Sequence, residues 1–238
     1  MRDLRENGVK ADASPVAAST RWAFGLQALL LAAGLAGAMV LSAGMGYVRL
    51  SAREVGAILA AGLLDRPELL HGLDAVAPVV VWDVRLPRIL AAALVGAGLS
   101  SAGAVFQGIL LNPLADPYTL GVSAGAAFGA AVALLLNLKV AGALSVPLCA
   151  FAGAAATLFL VIYLASGSGG LSSTHLVLSG IIVAAILAAG LSFLKYLADE
   201  EVGVIIFWLM GSFASRTWFD VLLAGGALAA GLTVFLVF

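Results

Sequence analysis

What this sequence has least of is charge. Only 11% of its 238 residues are Asp, Glu, Lys or Arg, while 63% are hydrophobic and the mean hydropathy is +1.12. A soluble domain of this size needs far more charge to cover its surface, so a water-soluble globule is excluded. The single cysteine, Cys149, can form no disulfide within the chain; it lies in an apolar run, where it packs as a small hydrophobe. One cysteine and two histidines leave little material for a metal site, and none is expected. A formal net charge of −1 gives no electrostatic footing for nucleic acid. No G-x-x-x-x-G-K-[ST] loop occurs, so any nucleotide-driven step has to take place on another polypeptide.

What is present is a series of apolar runs of about 18 to 22 residues, the length that crosses a hydrocarbon core. They are continuous and lack the two-residue alternation of a barrel strand. The fold class is therefore an all-α polytopic membrane protein. Residues 1–21, mixed in charge, read as a polar tail. Trp22 to about Ala43 is a first span, too long for the apolar core of a signal peptide and so retained. Ser51-Ala52-Arg53-Glu54 has the pattern of a capping box, and Val55, Ile58, Leu59 and Leu63 follow at helical spacing, which predicts an interfacial amphipathic helix.

Pro87 is expected to open a second span reaching about Gln107, since proline is favoured at a first helical position. A third span follows the polar turn Asn112–Pro117, and a fourth covers roughly Leu144–Ala165. A Ser/Gly-rich linker at 166–170 leads to a fifth, about His175–Leu197. The apolar piece from Val204 to Phe213 is too short to cross and reads as a half-helix buried in protein. A sixth span starts near Trp218 and meets the end of the sequence at Phe238 without a polar flank, so the chain reads either as truncated or as an N-terminal portion of a protein that continues. The expected organisation is thus a tail, 1–21, and one transmembrane domain, 22–238.

The most specified stretch is Trp82–Gly125. Gly96, Ser100, Ala104 and Gly108 recur every four residues, and Gly121, Gly125 and Gly129 repeat the device after the turn. Such small-residue ridges let helix backbones approach closely, and two of them facing each other would pack two helices tightly. Between them, Pro113 and Pro117 fix φ, while Asn112 and Asp116 stabilise the turn through side-chain hydrogen bonds. A polar turn flanked in this way fits a position near a pore. Arg85 and Arg88 share one helical face beside a membrane boundary, as interfacial anchors or as a docking point for acidic groups.

Two other classes compete. Gly121-Val122-Ser123-Ala124-Gly125 matches G-x-S-x-G, so an intramembrane serine hydrolase using Ser123 with His175 or His71 is one alternative, although a nucleophile elbow needs a strand–turn–helix context. A secondary transporter needs carboxylates or broken helices at mid-depth, and only Asp116, at a turn, lies near a span.

Arg85-Leu86-Pro87-Arg88, Gly96-Ala97-Gly98-Leu99, Gly103, Gln107, Asn112-Pro113-Leu114-Ala115-x-Pro117, Leu120-Gly121-Val122-Ser123 and Gly125-Ala126 together resemble the signature of FecCD-type permeases, the membrane subunits of ABC importers for iron chelates, haem and cobalamin. Trp208-x-Met210-Gly211-Ser212-Phe213 and Trp218 resemble a later signature of the same family. The resemblance implies a non-enzymatic permease in the bacterial cytoplasmic (inner) membrane, with about six of an expected ten helices present. It implies a second permease subunit, a cytoplasmic ATPase dimer that uses ATP and Mg, and a periplasmic or lipid-anchored substrate-binding protein. No cofactor is expected on this chain.

By the same resemblance Arg85 and Arg88 receive glutamates of the binding protein. Asn112 and Leu114 stand at a cytoplasmic gate built on Pro113, Asp116, Pro117 and Gly121, and Ser172, Ser173 and Thr174 correspond loosely to a second gate element. Gly96, Ser100, Gly125 and Gly129 serve helix packing. Orientation is in conflict. Counting Lys and Arg across alternate loops places the N-terminus outside, whereas the resemblance implies a cytoplasmic N-terminus and an external Arg85/Arg88 loop.

Overall fold

The computed structural model describes the backbone of residues 15–167 and 172–237, with side chains from residue 23 onward. The tail residues 1–14, and most of the linker expected at 166–170, lie outside the described residues. Every element among the described residues is helical: α1 (Pro15–Gly44), α2 (Ala52–Leu64), α3 (Val76–Val79), α4 (Leu86–Leu110), α5 (Val122–Leu135), α6 (Ser145–Ser166), α7 (Ser173–Leu197), α8 (Val202–Met210) and α9 (Trp218–Val237). Among the described residues, five helical stretches are long and apolar enough to cross a membrane by length and composition, and α5 is a shorter apolar helix. The polytopic all-α class read from hydropathy is the one observed.

The helices form two compact units, Met1–Ile89 and Leu90–Phe238. In the first, α1 begins at Pro15, so the last residues of the expected tail are helical; a proline with no N–H costs nothing at that position. The capping box at Ser51 is present: Glu54 N–H donates to Ser51 Oγ at 3.3 Å, and Ser51 N–H donates to the Glu54 carboxylate at 2.7 Å. Donation from Ser51 N–H to the carboxylate, joined by donation from Ser51 Oγ at 2.8 Å, holds the Glu54 carboxyl below the usual glutamate range. α2 buries Val55 and Ile58, and Ile58 packs with Ala77 and Val81. The indole of Trp82 covers this cluster, donating to Ile58 O at 3.4 Å.

Pro87 does not open a span. The chain is helical without a break from Val76 to Leu110, 35 residues, and a π-helical turn, Val80–Arg85, joins α3 to α4. Proline removes one donor and crowds the carbonyl four residues back. Here the turn before it is widened, with Leu86 N–H donating to Val81 O five residues back, and the crowding is taken up inside the helix.

In the second unit α5 packs against α6 and α7, and α8 packs against α5. One cluster (Leu110, Ala115, Leu120, Val161, Val183) sits beneath the Asn112–Pro117 turn, and another joins Ala131 to Ala198 and Ile205. α6, α7 and α9 stand within two residues of their expected positions. The short helix α8 falls where the half-helix was expected but is not buried as expected: Ile205 is buried, whereas Val204, Phe207 and Met210 are exposed among the described residues.

The third expected span is shorter than a crossing. Its 14 residues extend about 21 Å, against about 30 Å of hydrocarbon. Gly121 at φ +72° starts it. A Schellman closure ends it, with Leu138 N–H donating to Ala133 O at 2.9 Å and Asn137 N–H to Leu134 O at 3.0 Å, and Asn137 at φ +48°.

Candidate functional site

The hairpin between α4 and α5 is built from side-chain bonds that the sequence itself supplies. α4 closes with Leu111 at φ +50° and Asn112 N–H on Gln107 O at 3.3 Å. Asn112 Oδ1 then accepts from Leu114 N–H at 3.0 Å, and Asp116 Oδ1 accepts from Thr119 N–H at 2.8 Å. The first is the Asx turn that Asn favours before a chain reversal, and the second ties Asp116 to the backbone three residues on. Gln107 Nε2 reaches back to Pro113 O at 3.0 Å, tying the turn to the last turns of α4. Ala115 and Leu120 point into the core while Asn112, Pro113, Leu114 and Asp116 stay exposed. The hairpin is a rigid polar cap on an apolar plug.

The start of α7 lies against this hairpin. Ser172 Oγ caps α7 by accepting His175 N–H at 3.2 Å. Ser173 Oγ donates to Leu110 O at 2.6 Å, satisfying a carbonyl that the end of α4 leaves without a helical donor. Leu110, Asn112, Ser173, Thr174, Val177, Leu178 and Ile181 line a groove of about 360 Å³. Asn112 is thereby brought together with Ser173 and Thr174 across more than sixty residues of sequence. Leu114 lies outside this groove and is 85% exposed.

Behind the hairpin the packing is close enough that side chains are excluded. A β-carbon on Gly125 would lie 2.6 Å from Gly153 O, and one on Gly180 would lie 2.5 Å from Thr119 O. Gly129 meets the backbone of Cys149 in the same way. The ridge on α5 therefore faces α6 and α7. It does not face α4: Gly96 and Ser100 are exposed, and no described atom outside α4 lies within 4 Å of a β-carbon placed at Gly96, Gly103 or Gly108. The expectation of two facing ridges is corrected on this point. The true counterpart, Cys149–Gly153–Thr157, was readable as a four-residue small-residue repeat in α6.

The two arginines differ in exposure and contacts. Arg85 is 9% exposed and donates from Nη1 to Ala43 O and from Nη2 to Val48 O. Arg88 is exposed and lines a cavity of about 490 Å³ together with Ser42, Met45, Tyr47 and Val48. Sequence spacing put both arginines on one face but could not show that one of them is engaged by carbonyls of the loop after α1.

Among the described residues, Ser123 and His175 do not form the hydrogen-bonded pair that a serine hydrolase requires. Ser123 sits in the first turn of α5, after a loop and not a strand, and His175 Nδ1 has no hydrogen-bond partner among the described residues. The features that do converge are a stiff polar hairpin, the start of a long apolar helix and glycine-packed spans, which define a multi-pass helical membrane protein with a structured turn between spans.

Residues 22–238 match the FecCD transport family, and the chain belongs to that family. It is 38% identical over 197 residues, 82% of this chain and 55% of the relative, to the molybdate import system permease protein MolB of Haemophilus influenzae. Over 170 residues it is 40% identical to the cobalamin import system permease protein BtuC of Halobacterium salinarum, covering 71% of this chain and 46% of that one. Among solved structures, a presumed metal-chelate type ABC transporter in an inward-facing conformation superposes with a TM-score of 0.62 at 35% identity, covering 85% of this chain and 57% of the other. The chain spans about half the length of the relatives it matches.

Proposed function

We propose that this chain forms the membrane-embedded permease part of a binding-protein-dependent ABC importer, and that the hairpin and the start of α7 form a gate on its translocation path. Relatives in the same family include permeases named for molybdate, cobalamin and Fe(3+)-citrate, and the cargo proposed here is an iron–siderophore complex, haem or a cobalamin. The drive is ATP with Mg on a separate cytoplasmic ATPase dimer. A second permease subunit completes the path, and a periplasmic or lipid-anchored protein delivers the cargo. The N-terminus lies in the cytoplasm, so that the segment carrying Arg85 and Arg88 faces the delivery protein and Asn112 faces the cell interior.

The observation that carries the gate reading is the bond from Ser173 Oγ to Leu110 O, which holds Asn112, Ser173 and Thr174 around one groove. A gate needs two rigid bodies that meet through a few polar contacts and can part. Here the hairpin is stiffened internally by Asn112 and Asp116, and α7 is capped by its own serine. Ser173 supplies the polar contact between them, and beneath it Leu110, Ala115 and Leu120 pack with Val183 of α7.

The test is uptake by the complete importer in proteoliposomes, with its ATPase, its binding protein and enclosed ATP. Labelled ferric siderophore, haem and cobalamin are offered in turn. ATP-dependent accumulation of one of them supports the reading. Accumulation that persists without the ATPase would point to a secondary transporter instead.

A further inference from the structure

The start of α7 buries a nitrogen that no other group of the protein answers. His175 is half-buried as a residue, but its Nδ1 is shut away from solvent and has no hydrogen-bond partner among the described residues. Nδ1 is a donor in one tautomer of the neutral ring and an acceptor in the other, so it is unmet in both. Buried polar atoms are otherwise paired in folded chains, and an exception has a physical reason.

The reason lies in where the exception stands. Ser172 is the cap of α7, and Ser173, Thr174 and His175 begin its first turn. The other three are each engaged. Ser172 Oγ accepts the backbone N–H of His175 at 3.2 Å, Ser173 Oγ donates to Leu110 O at 2.6 Å, and Thr174 lines the groove beside Asn112. The turn that makes the polar contact with the hairpin therefore also carries an unmet nitrogen. A buried polar atom left unpaired costs at least as much as an ordinary hydrogen bond contributes. The penalty at Nδ1 is thus of the size of the Ser173 bond and opposite in sign. What holds α7 to the hairpin against it is the apolar cluster, in which Leu110, Ala115 and Leu120 pack with Val183. Opposed terms of similar size within one turn keep this arrangement from being over-stabilised, which is the condition for an element that changes state.

From this we infer that His175 is a positioning residue of the gate: its Nδ1 is unpaired while the start of α7 lies against the hairpin, reaches water when α7 moves away, and so biases the seam towards opening. The gate in this statement rests on the importer reading above; the penalty at Nδ1 does not.

Substitutions that differ in where they carry a polar atom separate the terms. Leucine has none. Asparagine places one directly on Cγ, where Nδ1 stands, and glutamine places one a bond further out, nearer to Nε2. Hydrogen exchange over residues 173–178 is followed in the complete importer in nanodiscs, and ATP-dependent uptake in the same importer in proteoliposomes. His175→Leu should slow exchange there by about fivefold or more and lower maximal uptake by a similar factor. The half-saturating concentration of the loaded binding protein should not change, because docking does not involve this turn. His175→Asn should recover most of the lost uptake and restore the faster exchange, and His175→Gln should behave like His175→Leu.

Faster or unchanged exchange in His175→Leu overturns the inference, since Nδ1 would then carry no penalty. Slower exchange with undiminished uptake overturns it as well, because the unmet nitrogen would be a tolerated packing fault. An asparagine variant indistinguishable from the leucine variant does the same. If the unsubstituted importer accumulates none of the ferric siderophore, haem and cobalamin offered to it, the importer reading fails and the gate role falls with it, whereas the exchange arm still decides the penalty at Nδ1. Should His175→Leu fail to insert, His175→Phe, a ring without nitrogen, takes its place in both arms.

Discussion

Gly125→Ala perturbs the structure where its tolerance is smallest. The new β-carbon would overlap Thr157 Oγ1 and stand 2.6 Å from Gly153 O. Ordinary carbon–oxygen contact is about 3.4 Å, so α5 and α6 would have to part by roughly 1 Å. Neither neighbour yields easily: Gly153 O is backbone, and the buried Thr157 hydroxyl is held on that carbonyl at 2.8 Å. Helix propensity by itself favours alanine over glycine by about 1 kcal/mol. Overpacking costs about 1–3 kcal/mol, and here it also loosens contacts along the helix pair. The net expectation is a loss of about 1–2 kcal/mol, the packing term outweighing the propensity term. Gly96→Ala is the control, with no described atom of another element within 4 Å; it should be neutral or stabilising by up to about 1 kcal/mol. Reversible unfolding in mixed micelles, followed by circular dichroism against the mole fraction of SDS, reads both. Equal stability of Gly125→Ala and the parent chain, or the same sign for both substitutions, would refute the reasoning.

The remaining expectations are local. Ser173→Ala removes the donor to Leu110 O and should cost about 1 kcal/mol, with faster hydrogen exchange across residues 110–115; unchanged exchange there would show that the seam does not hold the hairpin. Asp116→Ala releases the Thr119 N–H and should cost about 1 kcal/mol, with the loss seen in the same unfolding assay. Glu54, whose folded pKa is lowered, contributes stability to α2 that is present above its unfolded pKa and lost as pH falls through the folded value. Ser51→Ala should raise that pKa, and a carboxyl titration followed by NMR would register it. Ser123→Ala should leave uptake intact, whereas an intramembrane hydrolase would lose all activity.

Much of this architecture was legible because it is written locally. Hydropathy over about twenty residues places α6, α7 and α9, and the Ser51–Glu54 spacing names its own cap. The turn at Asn112–Pro117 announces itself through residues whose side chains bond to the backbone two or three positions on. What stayed hidden depends on residues distant in sequence. Nothing near Arg85 reveals that Ala43 O and Val48 O will receive it, and nothing near Gly96 reveals which ridge will find a partner. Pro87 misled for a different reason. A proline at a span start and a proline behind a π turn look alike in sequence, and only the hydrogen-bond register upstream separates them. For the candidate gate, Asn112 and the Ser172–Thr174 segment were named separately, and their meeting around one groove emerged only in three dimensions.

The gate itself is tested most directly by locking it. Asn112→Cys and Thr174→Cys line the same groove. In a Cys149→Ala background they can be joined by a short reducible bis-thiol linker in the complete importer, and ATP-dependent uptake measured before and after reduction. The expected result is uptake abolished by the cross-link and restored by reduction, while each single cysteine remains active. Full uptake with the cross-link formed quantitatively would contradict a gate at this seam.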